Sequence, residues 1–390
     1  MAALFAEAPA QAEWNTWVRS LDVSVRARVK RGAEDSVSNL LQYGSSFTEL
    51  PAAGGSDDAA ARTKVLAAAL AGDPSNERLR MAQSVVATKG LTRAAVEKIL
   101  AANLARFRAE QADYEERLRR VSASPDPDEK LFLHATLYSA RGLSSDTSLL
   151  PNWAIEDTLR VMKEKGAAPA EIRRIAIIGP GLDFADKRDG FDFYPVQTIQ
   201  PFAVLETGMR MGFRDATVTA FDLNPAVLSH IDRLKRSGAY RRQLVRDRDQ
   251  AWKAEPLRYW EQFGSVIGTT GKAAAVPQPL PSLAVRGVQI RAEFASRISA
   301  MDMNIVTQTT EQRFDLIVAT NILVYYDRLQ QAIALANIAR MLNPGGVFLS
   351  NTVLPAQRPA SLAFVGRRTV TYGTVKEFGD DFVVYRKKAE

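Results

Sequence analysis

Residues 175–181 read IAIIGPG, an apolar run that ends in two glycines separated by one proline. A short run of mostly β-branched apolar residues is typical of a strand buried on both faces of a parallel sheet. The glycines let the backbone approach a ligand closely, and the next helix would present unpaired N–H groups and the positive end of its dipole to an anionic group. The stretch therefore predicts a strand, a binding turn and a helix, in that order.

A second strand is predicted at Val218–Phe221, where Asp222 closes the strand and Asn224-Pro225 begins a helix. In a doubly wound sheet, a carboxylate at this point can accept hydrogen bonds from both hydroxyls of a ribose bound over the first glycine turn. The structural alternative is a carboxylate that stabilises a helix N-terminus. Because it follows the glycine turn in the expected order, Asp222 favours a nucleoside-type cofactor.

Short apolar runs alternate with helical patterns from residue 152 onward, which favours a Rossmann-like α/β fold with helices on both faces of a mostly parallel sheet. Strands are predicted at Arg174–Ile178, Val218–Phe221, Val285–Ile290, Phe314–Ala319 and Val347–Val353. Helices are predicted near residues 153–165, 200–211, 225–237 and 327–342. Two later strands, Arg367–Tyr372 and Asp381–Lys387, predict an antiparallel pair at the C-terminal edge.

The N-terminal part, residues 1–150, is predicted to be an all-helical domain that precedes the α/β domain at 151–390. Two domains are expected because 390 residues exceed what one hydrophobic core usually organises. The clearest helix begins after Thr92, with apolar residues repeating every 3.6 positions. Loops are predicted at 51–58 and 122–128. This part shows no catalytic motif, so it is interpreted as a cap or docking domain.

The composition excludes several classes of chemistry. The sequence has no cysteine and two histidines, His134 and His230, which excludes disulfides, thiolate–zinc sites, cysteine nucleophiles and multi-histidine metal cages. No metal site is predicted. The sequence shows neither an apolar run of about 18 residues nor a cationic leader before an apolar segment, so a cytoplasmic location without a membrane span is expected.

Three further stretches lie where ligands bind in such sheets. After the third predicted strand, Asp302 could accept the adenine amino hydrogens while the flexible Met303 side chain packs on the ring; a surface-loop carboxylate is the alternative. Strand Phe314–Ala319 ends at polar residues that include Asn321, on the carboxyl edge of the sheet. At Leu342–Gly346 a helix stops and a strand begins.

In this order, over about residues 174–355, the motifs resemble those of class I S-adenosylmethionine-dependent methyltransferases. The string FDLIVATNILVYYD at 314–327, followed by a helix and LNPGG, is most similar to the chemotaxis-receptor glutamate methyltransferases. The SGAYR string at 237–241 resembles the start of their small inserted subdomain. The resemblance implies S-adenosyl-L-methionine as the cofactor. It assigns cofactor contacts to Gly179, Pro180, Gly181, Asp222, Leu223, Asp302, Met303 and Asn321.

The chain departs from these enzymes at three positions of the motifs. Ile177 stands where most relatives carry an acidic residue, Asp183 where a third glycine is common, and Thr320 where the receptor enzymes carry an arginine. The first 150 residues do not resemble the N-terminal domain of the receptor enzymes. A non-catalytic regulatory protein that binds S-adenosylmethionine is therefore kept as an alternative.

An unusually long connection of 41 positions separates Gly181 from Asp222, against about 20 in a minimal unit. Its extra residues, 182–199, are predicted to form a lid or substrate loop, with a solvated charged loop as the alternative. Candidate contact residues in it are Asp183, Asp186, Asp189, Asp192 and Tyr194. Catalysis is assigned to Tyr325 and Asp183, and substrate contact to Tyr194 and Tyr326.

The methyl acceptor is predicted to be a carboxylate or hydroxyl oxygen on a small molecule or an acidic protein. A carboxylate needs no general base, whereas a hydroxyl needs one, for which the candidates are Tyr325, Asp327 and Asp183. Residues 233–258 hold nine arginines and lysines against three acidic residues, within an insertion predicted at about 236–284.

This basic segment could recruit an acidic protein or a nucleic acid, or could be a solvated face. A nucleic acid is the weaker alternative, because the fourth motif lacks the Asn/Asp-Pro-Pro-aromatic string of base amino-methyltransferases. The sequence carries no signal of the oligomeric state.

Overall fold

A seven-stranded sheet carries the glycine turn at the carboxyl end of a central strand. The computed structural model describes residues 13–50, 56–74, 76–86, 90–184, 192–237, 240–277, 282–354, 358–375 and 378–389. Its strands are β1 (Arg174–Ile178), β2 (Thr217–Asp222), β3 (Tyr240–Asp247), β4 (Gly268–Gly271), β5 (Leu283–Ile290), β6 (Ile298–Asp302), β7 (Phe314–Ala319), β8 (Leu342–Ser350), β9 (Leu362–Thr371) and β10 (Gly379–Lys387). The order across the large sheet is β6-β2-β1-β7-β8-β10-β9, and β3, β5 and β4 form a smaller antiparallel sheet.

The large sheet is buried on both faces, as the sequence predicts. Ile175 and Ile177 of β1 belong to one apolar cluster, and Ala176 and Ile178 belong to another. Successive side chains of a strand point to opposite faces, so each face of the sheet has its own core. Strand β1 pairs in parallel with β2 and β7, while β10 runs antiparallel to β8 and β9. The doubly wound sheet with a C-terminal antiparallel pair is therefore confirmed.

The prediction for the third strand of this sheet is wrong. Residues 285–290 belong to β5 of the small sheet, and the parallel neighbour of β2 is instead β6, which ends at Asp302. Strand β5 consists of buried and half-buried residues, whereas β6 lies at the sheet edge and has two exposed residues at its end. Over such short runs, an apolar pattern cannot distinguish a strand of an inserted sheet from a core strand.

The helices are α1 (Trp14–Tyr43), α2 (Ser56–Ala71), α3 (Glu77–Val86), α4 (Arg93–Ala123), α5 (Pro127–Ala135), α6 (Leu150–Glu164), α7 (Gln200–Arg210), α8 (Pro225–Ser237), α9 (Ala254–Gln262), α10 (Ala292–Ala295) and α11 (Arg328–Met341). Thr92 caps α4 as predicted, because its Oγ1 accepts the Ala95 N–H at 3.3 Å. The loop predicted at 122–128 is shorter than expected, since α4 and α5 extend into it. Of the loop predicted at 51–58, residues 56–58 are helical and the rest lies outside the described residues.

Helices α1–α4 pack on one another at the carboxyl edge of the sheet. Their buried leucines, such as Leu40, Leu66 and Leu100, belong to the same apolar cluster as Ile175 of β1. A domain division at residue 150 stays a prediction. Within the described ranges no helix is long and apolar enough to cross a membrane, and no group of three or more metal-ligating side chains is present.

Candidate active site

The glycine turn after β1 is in close contact with two other segments. Gly179 and Gly181 have φ values of +67° and +68°, which disfavour residues with a Cβ. A Cβ at Gly181 would overlap the carbonyl oxygen of Ser145, and one at Gly179 would overlap the side chain of Ile322. The next described helix after the turn, α7, begins at Gln200, as the sequence predicts.

Asp222 lies at the end of β2 beneath this turn. Its Oδ1 accepts the Asn224 N–H at 2.8 Å. Burial raises the pKa of the Asp222 carboxyl to about 6, although the backbone N–H groups of Asn224, Leu223 and Gly181 oppose that rise. The structure thus brings the carboxylate and the glycine turn together, as a ribose and methionine site requires.

Asp302 and Met303 lie beside Asp222, at the end of β6. Asp302 pairs with Asp222 in the strand register, and the Met303 N–H donates to the Asp222 carbonyl at 3.3 Å. Arg26 of α1 donates Nη1 to both carboxylate oxygens of Asp302, at 2.9 and 3.1 Å. Met303 is buried in an apolar cluster with Val25 of α1, against which the partly buried Leu223 packs. The residues predicted to bind adenine therefore lie together under the N-terminal half of α1. The sequence did not predict this contact with α1.

Asn321 follows β7 and is the one non-glycine residue in the described ranges with positive φ, 56°. Such a conformation costs of order 1–3 kcal/mol and is concentrated at functional sites. Its side chain is fixed by Asn351 after β8: the Asn321 N–H donates to Asn351 Oδ1 at 2.7 Å, and Asn351 Nδ2 donates to Asn321 Oδ1 at 2.8 Å. Sequence reasoning missed Asn351, although a polar residue after the adjacent parallel strand is the signal that could have identified it.

Tyr325 ends a short 3-10 helix, Leu323–Tyr325, and Tyr326 follows it in extended conformation; the two side chains lie in different surroundings. The Tyr325 ring stacks on Tyr138 at a centroid distance of 5.3 Å, and Tyr138 stacks on Tyr114 of α4 at 5.1 Å. Tyr325 borders the cavity described below, whereas Tyr326 is packed in an apolar cluster with Leu323. Burial raises the pKa of the Tyr326 phenol.

The loop at 182–199 is held by hydrogen bonds in its described parts. Asp183 accepts the Tyr194 hydroxyl and Gln197 Nε2, both at 2.9 Å. Gln197 in turn bonds the backbone of Gln243 in β3, which ties the loop to the small sheet. Asp186 and Asp189 lie outside the described residues.

Arg78 of α3 anchors the same loop from the N-terminal side. Its guanidinium donates to the carbonyls of Asp183, Phe184, Asp192 and Tyr194. The Asp192 carboxylate accepts the N–H groups of Ser45 and Ser46 after α1. The described parts of the loop are therefore packed against the helical region, and Asp192 binds backbone groups there.

A cavity of about 880 Å³ opens above the carboxyl edge of the sheet. Gly179, Asp183, Tyr194, Asn321 and Tyr325 of the predicted residues border it, together with α1, α4 and the segment 138–151. Asp222, Asp302 and Tyr326 are not part of its wall. The structure thus brings the methyl-transfer end of the predicted site into one cavity, while α1 covers the adenine end.

The basic segment 233–258 is not one solvated face. It spans α8, β3 and part of α9, and Arg242 within it is fully buried, with its guanidinium over the rings of Tyr240 and Phe202. Burial lowers the pKa of Arg242 well below its usual range. Arg246 borders the cavity. These two charges therefore cannot serve a surface partner, while the other seven basic residues are exposed.

One stretch of the chain matches a known protein family, and several solved structures are similar to the chain. Residues 282–353 match the family model for the CheR methyltransferase, SAM binding domain. No curated protein matches the chain significantly. Similar solved structures include the N-methyltransferase NodS from Bradyrhizobium japonicum WM9 with S-adenosyl-L-homocysteine, at 14% identity over 71% of this chain and 98% of that one, with a TM-score of 0.33. Magnesium protoporphyrin IX methyltransferase from Synechocystis PCC 6803 with bound SAM is 8% identical over 70% of this chain and 90% of that one, with a TM-score of 0.29.

The sheet order, the pairing of the glycine turn with Asp222 and the family match define the class of the protein. The chain is a class I S-adenosylmethionine-dependent methyltransferase, and S-adenosyl-L-methionine is its cofactor. Within that class, the matched stretch that includes β6, β7 and β8 is of the CheR type.

Proposed function

We propose that the chain transfers the methyl group to an oxygen atom of a small molecule held in the 880 Å³ cavity. The main support is that one cavity is bordered by the glycine turn, Asn321, Asp183 and Tyr325. Its volume lies within the roughly 300–1,000 Å³ that small-molecule sites occupy. The N-terminal helices close it on one side, which supports their interpretation as a cap.

The cofactor supplies a methyl group bound to a positively charged sulfur. Gly179, Gly181 and Asp222 are proposed to hold its methionine and ribose parts, and Asn321 the region of transfer. The protein has to align the acceptor oxygen and exclude water, and positioning of this kind can supply much of a rate enhancement.

Asp183 is the general base favoured by the geometry if the acceptor is a hydroxyl. Its carboxylate borders the cavity and is oriented by the Tyr194 hydroxyl and Gln197. A carboxylate within hydrogen-bond reach can take the hydroxyl proton as the new carbon–oxygen bond forms. Tyr325 then contributes a flat wall for the acceptor, since its ring stacks on Tyr138.

A cavity of this size, bordered on one side by the N-terminal helices, favours a small molecule over a nucleic acid or a folded protein as the acceptor. The inward positions of Arg242 and Arg246 also reduce the charge that the basic segment can offer to an acidic surface. A purely regulatory protein would bind the cofactor without turnover, so turnover is the discriminating observation.

The test is methyl transfer from labelled S-adenosylmethionine to a panel of phenols, alcohols, carboxylic acids and amines. We expect an oxygen-methylated product and an equal amount of S-adenosylhomocysteine. Mild alkali distinguishes the products, because it cleaves a methyl ester and leaves a methyl ether intact. Labelling of amines alone would overturn the oxygen assignment, and cofactor binding without any labelled product would favour the regulatory alternative.

A further inference from the structure

One wall of the cavity is a guanidinium group set among aromatic rings. The Arg141 guanidinium carbon lies 5.6–5.7 Å from the ring centroids of Phe107, Tyr114 and Tyr138. Cations are attracted to aromatic faces at such distances, and here the rings also restrict where the side chain can move. Arg141 is therefore a pre-positioned donor on the cavity wall.

The donors of Arg141 have few protein acceptors. Its guanidinium makes one long hydrogen bond, from Nη1 to Gln111 Oε1 at 3.5 Å, and no ion pair with any described residue. Asp35 is nearby, but its carboxylate is bound by Arg106 at 2.6 Å. A guanidinium has five N–H donors, and half-buried donors without acceptors are unfavourable. Such a group matches a carboxylate, which accepts two parallel hydrogen bonds from the guanidinium fork.

Two of the carboxylates that border the cavity, Asp183 and Asp146, are also engaged by protein donors. Asp183 accepts from Tyr194 and Gln197, and Asp146 accepts from the hydroxyls of Ser36 and Ser144. Both are therefore held in hydrogen bonds of their own. An anionic ligand group would meet Arg141 as the donor-rich part of this wall.

Arg141 lies one aromatic ring away from the methyl-transfer motif. The Tyr138 ring contacts Arg141 at 5.6 Å and stacks on Tyr325 at 5.3 Å, so the guanidinium and the fourth motif flank the same ring. The Tyr138 N–H also donates to the Val324 carbonyl at 3.2 Å, which fixes this wall to the motif. An acceptor that lies along the wall can reach both ends if it is flat and about one ring long.

We propose that Arg141 binds the carboxylate of an aromatic hydroxy acid, with the hydroxyl oxygen at the other end directed to the Asn321–Tyr325 motif. This inference rests on the proposed function and names the class of its acceptor. The stacked rings of Tyr114, Tyr138 and Tyr325 accommodate the aromatic body, and Arg141 sets the preference for an acid over a neutral analogue.

The test compares acids with their amides on protein saturated with S-adenosylhomocysteine. The probes are 4-hydroxybenzoate and 4-hydroxycinnamate, each paired with its amide, titrated by calorimetry. We expect each acid to bind at least tenfold more tightly than its amide, and Arg141→Gln to reduce that preference to twofold or less. Arg141→Lys should keep part of the preference, because it keeps the charge and loses the fork. Arg120→Gln, an exposed position near the end of the same helical region, is the matched control and should keep the full preference.

Unchanged S-adenosylhomocysteine affinity shows that each variant is folded. Equal binding of acids and amides to the parent protein, no binding of either acid, or an unchanged preference in Arg141→Gln would each overturn the inference. Methyl transfer to the two hydroxy acids that is insensitive to Arg141→Gln would likewise reject the acid site and leave the proposed function intact. Binding of the acids through Arg141, with no labelled product from any acceptor of the panel, would support the anion site and reject the proposed function.

Discussion

Replacing Gly181 with alanine tests how closely the glycine turn packs against the backbone at Ser145. At φ +68° an alanine is less favourable than glycine by roughly 1–2 kcal/mol. Its Cβ would also lie closer than 3.0 Å to the Ser145 carbonyl oxygen, a distance that real Cβ atoms essentially never show. That oxygen accepts the Leu182 N–H at 2.6 Å, so the overlap can be relieved only by moving bonded backbone. Overpacking of this kind costs about 1–3 kcal/mol.

We therefore expect Gly181→Ala to lower the free energy of unfolding by about 2–5 kcal/mol and to weaken S-adenosylhomocysteine binding at least tenfold. Gly166→Ala is the control, because Gly166 has φ +66° and open space around its Cβ position, so it should lose only the conformational part. Denaturant unfolding followed by circular dichroism gives the first quantity and calorimetry the second. Equal destabilisation by the two substitutions, with cofactor affinity unchanged in both, would refute the packing and cofactor roles of Gly181.

Three other predictions follow from the site. The affinity for S-adenosylhomocysteine should fall as the pH drops through about 6, where Asp222 gains a proton, and calorimetry across pH 5–8 should show this dependence lost in Asp222→Asn. Arg26→Gln removes the donor that occupies Asp302, so the association rate of S-adenosylhomocysteine in stopped-flow fluorescence should rise severalfold. The control is Arg19→Gln at an exposed position of α1, and equal rates in the two variants would show that α1 does not obstruct the site. Arg78→Met leaves buried loop carbonyls without donors, so backbone amides at 192–199 should exchange hydrogen faster, and unchanged exchange would exclude an anchoring role.

Strands that are marked by a short apolar run and the turn residues after it were predicted correctly. Strands β1 and β7 match their predicted bounds, and Asp222 closes β2 as its position before Asn-Pro indicates. In each case the information lies within about ten residues, in an apolar run and the turn residues after it. The assignment of the third strand failed because β6 is a short edge strand with a weak apolar pattern.

Contacts between distant segments could not be read from the sequence. Arg26 reaches Asp302 across 276 positions, and Arg141 lies among rings from α4 and from the turn after α5. Arg242 stands in a basic run that suggests exposure, yet the pairing of β3 with β5 turns it into the core. Which side of an element is buried depends on its partners, and a single sequence does not give them.

The central claim is that the cofactor is bound between the glycine turn and Asp222. Calorimetric titration with S-adenosylhomocysteine tests it most directly, in the parent protein and in Asp222→Ala. The account predicts one site per chain in the parent protein and at least a tenfold loss in the folded variant, since hydrogen bonds to a charged acceptor are worth roughly 1.5–3 kcal/mol each. Absence of binding by the parent protein, or equal affinity in the folded variant, would contradict it.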